Sequence, residues 1–304
     1  MTKVLRRLQF GRATGFSLVE LLVAVSIMSG IIFVLYSVFD QTQRVLRKSI
    51  SQVDVLETGR AAVSLLAREM EQMAAGRITN SFRLRDGVNF HTRMAGNSHL
   101  QVLADGQQVH TNVLDDLFFL SRVGSTWTGN GYRILDAENG VGTLSRYSVS
   151  TNARDLTSFN LYQQYSDALA TNYQRMAEGV IHFRILAFDR NGHPLLFNDR
   201  RHQNLRSAIH TIEGQRVQSV WINAPTNRPG NVTLAEKGSD QTEVICRSNA
   251  LPAYVELELG ILDPVAYSQY KAILNNQVAR DYLANQAGRV HLFRQRIPIL
   301  NAVQ

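Results

Sequence analysis

Residues 12–39 have the sequence RATGFSLVELLVAVSIMSGIIFVLYSVF, and the organisation of the chain follows from this stretch. Its last nineteen residues, Leu21 to Phe39, carry no charge. As a helix they would be about 28 Å long, which is close to the hydrocarbon thickness of a bilayer. Residues 1–15 contain four basic side chains and no acidic one. The positive-inside rule therefore predicts that residues 1–15 stay in the cytoplasm and that the chain after the span lies outside it.

One carboxylate, that of Glu20, lies at the entrance of the apolar run. A lone carboxylate costs about 2.5–3.5 kcal/mol at the centre of a membrane helix, so it needs a partner. The surrounding sequence, GFSLVELL at residues 15–22, resembles the type III signal sequence of type IV pilins and type II secretion pseudopilins. A small residue, an aromatic one, aliphatic positions, a glutamate and a spanning segment occur in the same order in that family.

This resemblance implies how the N-terminus is processed and used. In that family a prepilin peptidase cuts after the glycine and methylates the new N-terminal amine. Gly15 would then be the last leader residue, Phe16 the N-methylated first residue of the mature chain, and Glu20 the acidic assembly residue. The cationic amine of one subunit would neutralise Glu20 of its neighbour inside a filament, which relieves the cost of a buried lone charge.

Two simpler interpretations of the same stretch remain open. A secretory signal would have an uncharged core of about 7–15 residues followed by an Ala-x-Ala-like site, whereas this core is longer and no such site follows. A simple signal anchor would contain the Gly15-Phe16 pair by chance. Neither interpretation requires Glu20.

The helical spacing continues after Phe39 although the polarity changes. Gly76 is a typical C-terminal stop, and Gly59 is a position where the helix could bend. We therefore expect a membrane or filament-core helix over residues 16–39 and an amphipathic stalk helix over residues 40–76. Apolar side chains recur three and four residues apart at Val45, Leu46, Ile50, Val53, Leu56, Ala62, Leu65, Leu66, Met70 and Met73.

Residues 77–304 have the pattern of a β-rich globular head. One helix is predicted from Pro264, with Asp263 as its cap, to Gln286. We interpret residues 123–132 and 225–238 as loops and Asn191-Gly192 as a primed hairpin turn. Alternation and turn residues predict strands at 82–85, 88–90, 99–103, 132–135, 144–150, 158–163, 180–189, 194–197, 217–222, 254–259 and 290–299.

The expected fold class is α+β, with a long N-terminal α-helical stalk packed on a mainly antiparallel β head, as in pilins. The sequence LPAYVEL at residues 251–257, followed by an Arg-rich terminal strand, is similar to large minor pseudopilins of the J type and to W-type minor pilins. The helical insertion at 264–286 is longer than this resemblance implies.

No arrangement of residues predicts catalysis. The eight histidines have no metal-binding spacing, and the Gly-x-Ser-x-Gly motif is absent. Asp115-Asp116 is interpreted as a turn rather than a catalytic dyad. Glu256 and Glu258 are interpreted as the solvated face of a strand opposite Arg294 and Arg296. We therefore expect a protein that is not an enzyme and that needs no cofactor or metal.

Composition limits the remaining possibilities. The single cysteine, Cys246, cannot form an intrachain disulfide and is expected to be a buried small hydrophobe. The formal charge of +7 falls to +3 when the four basic residues of the leader are removed, so charge gives little support for a nucleic-acid partner.

The leading functional hypothesis is a minor pilin-like subunit at or near the tip of a secretion pseudopilus or a type IV pilus. It implies an inner-membrane, single-pass protein with a periplasmic head. Its partners would be the prepilin peptidase, other pilins, the assembly platform and the lipid bilayer. A membrane-anchored adhesin or binding module is the alternative, with Trp127 and Tyr132 or residues 200–202 as candidate contacts, and an anchored enzyme is the third hypothesis.

Overall fold

The computed structural model describes residues 17–76, 87–94, 99–101, 110–152, 161–197, 207–212, 215–221, 231–236 and 242–303. The chain divides into two compact units, Met1–Ile50 and Ser51–Gln304. Gly15, Phe16 and the rest of the leader lie outside the described residues. So do the predicted strand at 82–85 and the candidate contacts at 200–202.

The first unit is helical throughout its described part after residue 17. Helix α1, Leu18–Glu71, begins here and contributes its later turns to the second unit. Its N-terminal part is long and apolar enough to span a membrane, judged by length and composition. No proline occurs in α1, so nothing in the sequence forces a break in the helical hydrogen bonding.

The described residues of the second unit combine the later turns of α1 with thirteen strands and three shorter α-helices. The helices are α2 (Leu161–Ser166), α3 (Pro264–Lys271) and α4 (Asn276–Ala284). Short 3-10 helices lie at Ala170–Asn172, Ala287–Arg289 and Leu300–Val303. The strands are β1 (Val88–Met94), β2 (His99–Gln101), β3 (His110–Asn112), β4 (Asp115–Val123), β5 (Thr126–Glu138), β6 (Val141–Asn152), β7 (Gln174–Phe188), β8 (Ser207–Ile212), β9 (Gln215–Val220), β10 (Val232–Glu236), β11 (Thr242–Arg247), β12 (Tyr254–Leu262) and β13 (Val290–Pro298).

Eleven of these strands form one sheet, in the order β13-β12-β7-β6-β5-β4-β1-β11-β10-β9-β8, and β2 pairs only with β3 among the described strands. Every ladder between these strands is antiparallel. This confirms the α+β class, with a helical N-terminus and a large antiparallel sheet.

The sheet buries side chains on both of its faces. On one face the Val55–Met70 stretch of α1, together with Met73 just after the helix, packs in a cluster with Leu117 and Phe119 of β4. Phe118 and Leu120 alternate with them along β4 and belong to a separate cluster under α2. A third cluster lies beneath α3 and α4. The helices thus cover the sheet from both sides.

Helix α1 ends at Glu71 and not at the predicted stop, Gly76. Met73 forms an antiparallel β-bridge with Ser121 of β4, and backbone hydrogen bonds of 2.9 and 3.2 Å flank this bridge. Pairing with a distant strand therefore ends the helix earlier than the local signal predicts.

Gly59 does not interrupt α1, which continues through it for three more turns. A Cβ atom at Gly59 would lie 2.2 Å from the ring of Phe293 on β13. The glycine therefore allows the helix to approach the sheet at this ring, and the helix is not broken there.

The glycine-rich stretch at 123–132 is mostly strand and not the predicted loop. A turn at Gly124, with φ of 61°, is followed at once by β5. A Cβ atom at Gly131 would lie 2.2 Å from the ring of Tyr165, which α2 places over this strand. Glycine is needed at position 131 because the ring of Tyr165 occupies the space that any side chain there would fill.

Other segments also differ from the sequence prediction. Residues 194–197, predicted as strand, contain only an isolated bridge between Pro194 and Phe188. Residues 161–163, predicted as strand, begin α2. Strand β10 occupies the middle of the predicted loop at 225–238. The single helix predicted at 264–286 is divided in two, because the Asn275 side chain accepts the backbone N–H groups of Gln277 and Val278 and starts α4 anew.

The turn after β7 is not of the primed type. Gly192 has φ of 80°, but Asn191 has no positive φ, which a primed turn of that type requires. The Asp189 carboxylate instead accepts the N–H groups of Asn191 and His193 at 2.9 and 2.8 Å. A carboxylate-stabilised turn ending in glycine replaces the predicted one.

Candidate functional site

The N-terminal part of α1 exposes apolar side chains all around the helix. Every large apolar side chain from Leu18 to Phe39 is between 49% and 81% exposed. A helix that is apolar on all sides is stable only when lipid or other protein surrounds it. An exposed apolar surface of this size indicates a membrane or protein contact.

Glu20 lies in the first turn of α1 and forms a reciprocal pair with Ser17. The Ser17 N–H donates to Glu20 Oε2 at 2.9 Å, and the Glu20 N–H donates to Ser17 Oγ at 3.2 Å. This is a capping box, which satisfies two backbone donors that a helix start leaves unpaired. The positive end of the helix dipole also favours a carboxylate in this turn.

Of the three predicted site residues, the described part of the chain contains only Glu20, because Gly15 and Phe16 lie outside it. The sequence analysis did not assign Ser17, although the signal was present as Ser-x-x-Glu before an apolar run. A carboxylate can accept about four hydrogen bonds, so the single Ser17 N–H leaves it capacity for a further donor.

A second acid, Glu69, lies on the apolar stripe of α1 within the second unit. Arg146 Nη2 donates to Glu69 Oε1 at 2.6 Å, and the Tyr132 hydroxyl donates to Glu69 Oε2. Burial, together with the charge of Glu69, raises the pKa of Tyr132, so its hydroxyl remains a donor. These contacts fix the end of α1 to β5 and β6.

Asp115 and Asp116 start strand β4 and do not form the predicted turn. Asp116 pairs with Arg93 and Arg133, each at 3.2 Å. Asp115 accepts the backbone N–H of Ile185 at 2.8 Å, and burial raises its pKa to about 7. Neighbouring side chains on a strand point to opposite faces, so the two carboxylates do not form a dyad.

The aromatic contact patch considered for an adhesin is wrong. Trp127 is 6% exposed and Tyr132 is fully buried, so neither offers a surface to a ligand. Both side chains contribute to the packing of the head instead.

Within the described residues, no group of three or more His, Cys, Asp and Glu side chains could hold a metal ion. His182 and His91 are buried and contact carboxylates: His182 Nε2 lies 3.1 Å from Glu258, and His91 Nε2 lies 2.8 Å from Glu243. Burial lowers the pKa of His91, which favours its neutral form. Burial also raises the pKa of the Cys246 thiol to about 12, which makes it unreactive.

A cleft of about 380 Å³ lies beside the β5–β6 turn and α3. The charged side chains that line it have both signs, with Arg175 3.5 Å from Asp136. Lys271 also lines the cleft and lies 3.7 Å from Glu178, which is outside the lining. Mixed charges of this kind select neither an anion nor a cation.

Comparison with known proteins gives no match to a family model, a curated protein or a solved structure. The function must therefore be inferred from the residues and geometry described above.

Proposed function

We propose that the protein is a minor pilin-like subunit that assembles through the N-terminal part of α1 into, or at the tip of, a type II secretion pseudopilus or a type IV pilus. The single observation that carries the proposal is an uncovered apolar stretch of α1, Leu18 to Phe39, in which the only acid is Glu20, in the first turn and four residues after Phe16. The capping box uses the Glu20 carboxylate as the acceptor of one N–H, which leaves acceptor capacity for a partner.

The apolar helix supports this proposal because lipid or protein has to cover its exposed surface. Burying apolar surface is favourable by about 25 cal/mol of free energy for each Å² removed from water. Lipid would cover the helix before assembly, and the helices of neighbouring subunits would cover it afterwards. The same surface thus serves both the membrane-inserted and the assembled subunit.

The contacts of Glu20 support a two-step role for its carboxylate. In the isolated chain the Ser17 N–H occupies one acceptor position. Removal of residues 1–15 would leave Ser17 in place, so the capping box would survive processing. The methylated amine of Phe16 from a neighbouring subunit would then supply the charged donor that the carboxylate lacks.

The size of the head supports a low-copy position in the filament. The second unit extends from Ser51 to Gln304, and its described residues include a sheet of eleven strands. A bulky head is difficult to repeat in a closely packed helical array, whereas a subunit at the tip has room for one.

The mass of the N-terminal peptide of membrane-extracted protein tests this proposal. We expect a terminus at Phe16 with one additional methyl group, and no cleavage when Gly15 is replaced by a bulky residue. An intact Met1, or cleavage beyond Phe39, would contradict the proposal.

Assembly tests the role of Glu20 separately from processing. Glu20→Gln should be cleaved normally, since the bond after Gly15 is unchanged, and should enter filaments at least about tenfold less than wild type because the charge pair is lost. Ser26→Ala, in the same exposed helix, is the matched control. Full incorporation of Glu20→Gln would contradict the pairing role.

A further inference from the structure

Strand β7 changes neighbours halfway along its length. It pairs with β6 up to Val180, whereas its pairing with β12 continues to the end of the strand. Beyond Val180, residues 113–115, here called the strap, contact the edge of β7 that β6 leaves open. Phe183 donates its N–H to the Val113 carbonyl at 2.7 Å, and Leu114 of the strap bridges to Phe183.

Two ionisable side chains hold the strap on this edge. Nδ1 of His182, a residue of β7, accepts the Val113 N–H at 3.2 Å. Oδ2 of Asp115, a residue of the strap, accepts the Ile185 N–H at 2.8 Å. His182 is only 2% exposed, so water does not readily replace a lost contact.

The two contacts of His182 require one protonation state. Its Nε2 lies 3.1 Å from Glu258 Oε2, and an ionised carboxylate can only accept, so Nε2 carries the hydrogen. Nδ1 must then be unprotonated to accept from Val113. A second proton, on Nδ1, would remove this acceptor and place two N–H groups against each other.

We propose that the strap is a pH-sensitive latch, which acidification releases from β7 by protonating His182 at Nδ1. Histidine is the side chain that ordinarily changes charge between about pH 5 and pH 8. The charged and titratable groups around this contact, among the described residues, are Glu258 of β12, Arg294 of β13, Arg184 of β7 and Asp115 of β4.

Asp115 does not release the strap in acid. A protonated carboxyl group keeps an oxygen that can accept the Ile185 N–H. Asp115 also takes up a proton as the pH falls from 8 to 5, because burial raises its pKa to about 7. Its protonation removes a buried charge and therefore holds the strap more firmly in acid. A loss of protection on acidification has the opposite sign and belongs to His182, and it does not depend on the filament function proposed above.

Hydrogen–deuterium exchange of the full chain in detergent micelles tests the latch. Exchange is measured at pH 8 and pH 5, with times scaled for the pH dependence of chemical exchange. We expect peptides that contain Val113 and Phe183 to lose protection by about tenfold at pH 5, while β9 and β10 keep theirs. Equal protection of the strap at both pH values would overturn the proposal.

His182→Asn is the sharpest variant, because the amide oxygen can take the place of Nδ1 and does not titrate. We expect it to keep the strap protected at pH 5. His291→Asn, in β13, is the matched control and should show the acid release of wild type. Loss of protection in His182→Asn equal to that of wild type would refute the assignment to His182.

Glu258→Gln provides a test if His182→Asn does not fold. The glutamine oxygen still accepts the Nε2 hydrogen, but it carries no negative charge. We expect the strap to be released at a lower pH than in wild type. An unchanged midpoint would count against His182 as the trigger.

Discussion

Two glutamates of helix α1, Glu20 and Glu69, have different surroundings in the two units of the protein. Glu69, in the second unit, has Arg146 and Tyr132 as partners from within the chain. Among the described residues, Glu20, in the first unit, has only the backbone and hydroxyl of Ser17 as partners. The apolar neighbours differ in the same way, since those of Glu69 are buried by the sheet and those of Glu20 are exposed. The later part of α1 is packed within the single chain, whereas its first part exposes apolar side chains and a carboxylate that can accept further hydrogen bonds.

The largest effect is expected at Asp115. This carboxylate is buried and, like that of Glu20, accepts one backbone N–H. Its folded pKa of about 7 lies above the ordinary value of 3.8, so the folded state binds an extra proton between these values. Stability is then greatest below about pH 4 and is lost as the pH rises through 7, by a few kcal/mol. Denaturant unfolding of Asp115→Asn in micelles should show a flatter pH dependence than wild type. An unchanged slope would mean that burial does not raise the pKa of Asp115.

Removing Glu69 should have the next largest effect. Glu69→Ala leaves Arg146 without its carboxylate, and we expect the free energy of unfolding to fall by about 2–3 kcal/mol, reduced from a fully buried pair because both side chains are partly exposed. Glu71→Ala, at an exposed position on the same helix, is the control. Similar losses in both variants would show that the loss does not come from the cluster.

Gly59 and Gly30 allow the packing of the two parts of α1 to be compared. Gly59→Ala must displace the Phe293 ring and should destabilise the head by about 1–2 kcal/mol. Gly30→Ala meets nothing within 4 Å and should not destabilise the isolated chain. The double variant Gly59→Ala with Phe293→Ala should cost less than the sum of the single changes. Simple additivity would exclude the ring as the cause.

The smallest effect is expected at Ser17. Ser17→Ala removes the hydroxyl of the capping box and should weaken the helix start by about 0.5–1 kcal/mol. Faster amide exchange confined to residues 18–21 is the expected result. Ser26→Ala, whose hydroxyl donates to the Leu22 carbonyl inside the helix, should leave these amides unchanged.

Local patterns predicted the elements whose chemistry is local. The alternation at 254–259 became β12, and Asp263 caps α3 as expected. The predicted cross-strand pairs are confirmed, with Glu256 bound to Arg296 and Glu258 to Arg294. In each case the needed residues are adjacent in sequence or fixed by a strand register.

Prediction failed where a distant residue decides the structure. Gly131 suggests a loop by itself, and only the ring of Tyr165 explains why a strand needs it. Arg146 lies 77 residues after Glu69, so no local pattern connects them. For the candidate site, the apolar run indicated Glu20, and the nearby Ser17 could have been recognised as well. Processing at Gly15 and Phe16 stays a prediction.

The position of Cys246 offers a consequence of a practical kind. It is fully buried in β11, between β1 and β10, and burial raises the pKa of its thiol to about 12. Thiol reagents react with the thiolate, so they can modify this residue only when the strands separate. The labelling rate of the unmodified protein therefore measures how often the middle of the head opens. The native cysteine therefore reports this opening, and no engineered probe is required.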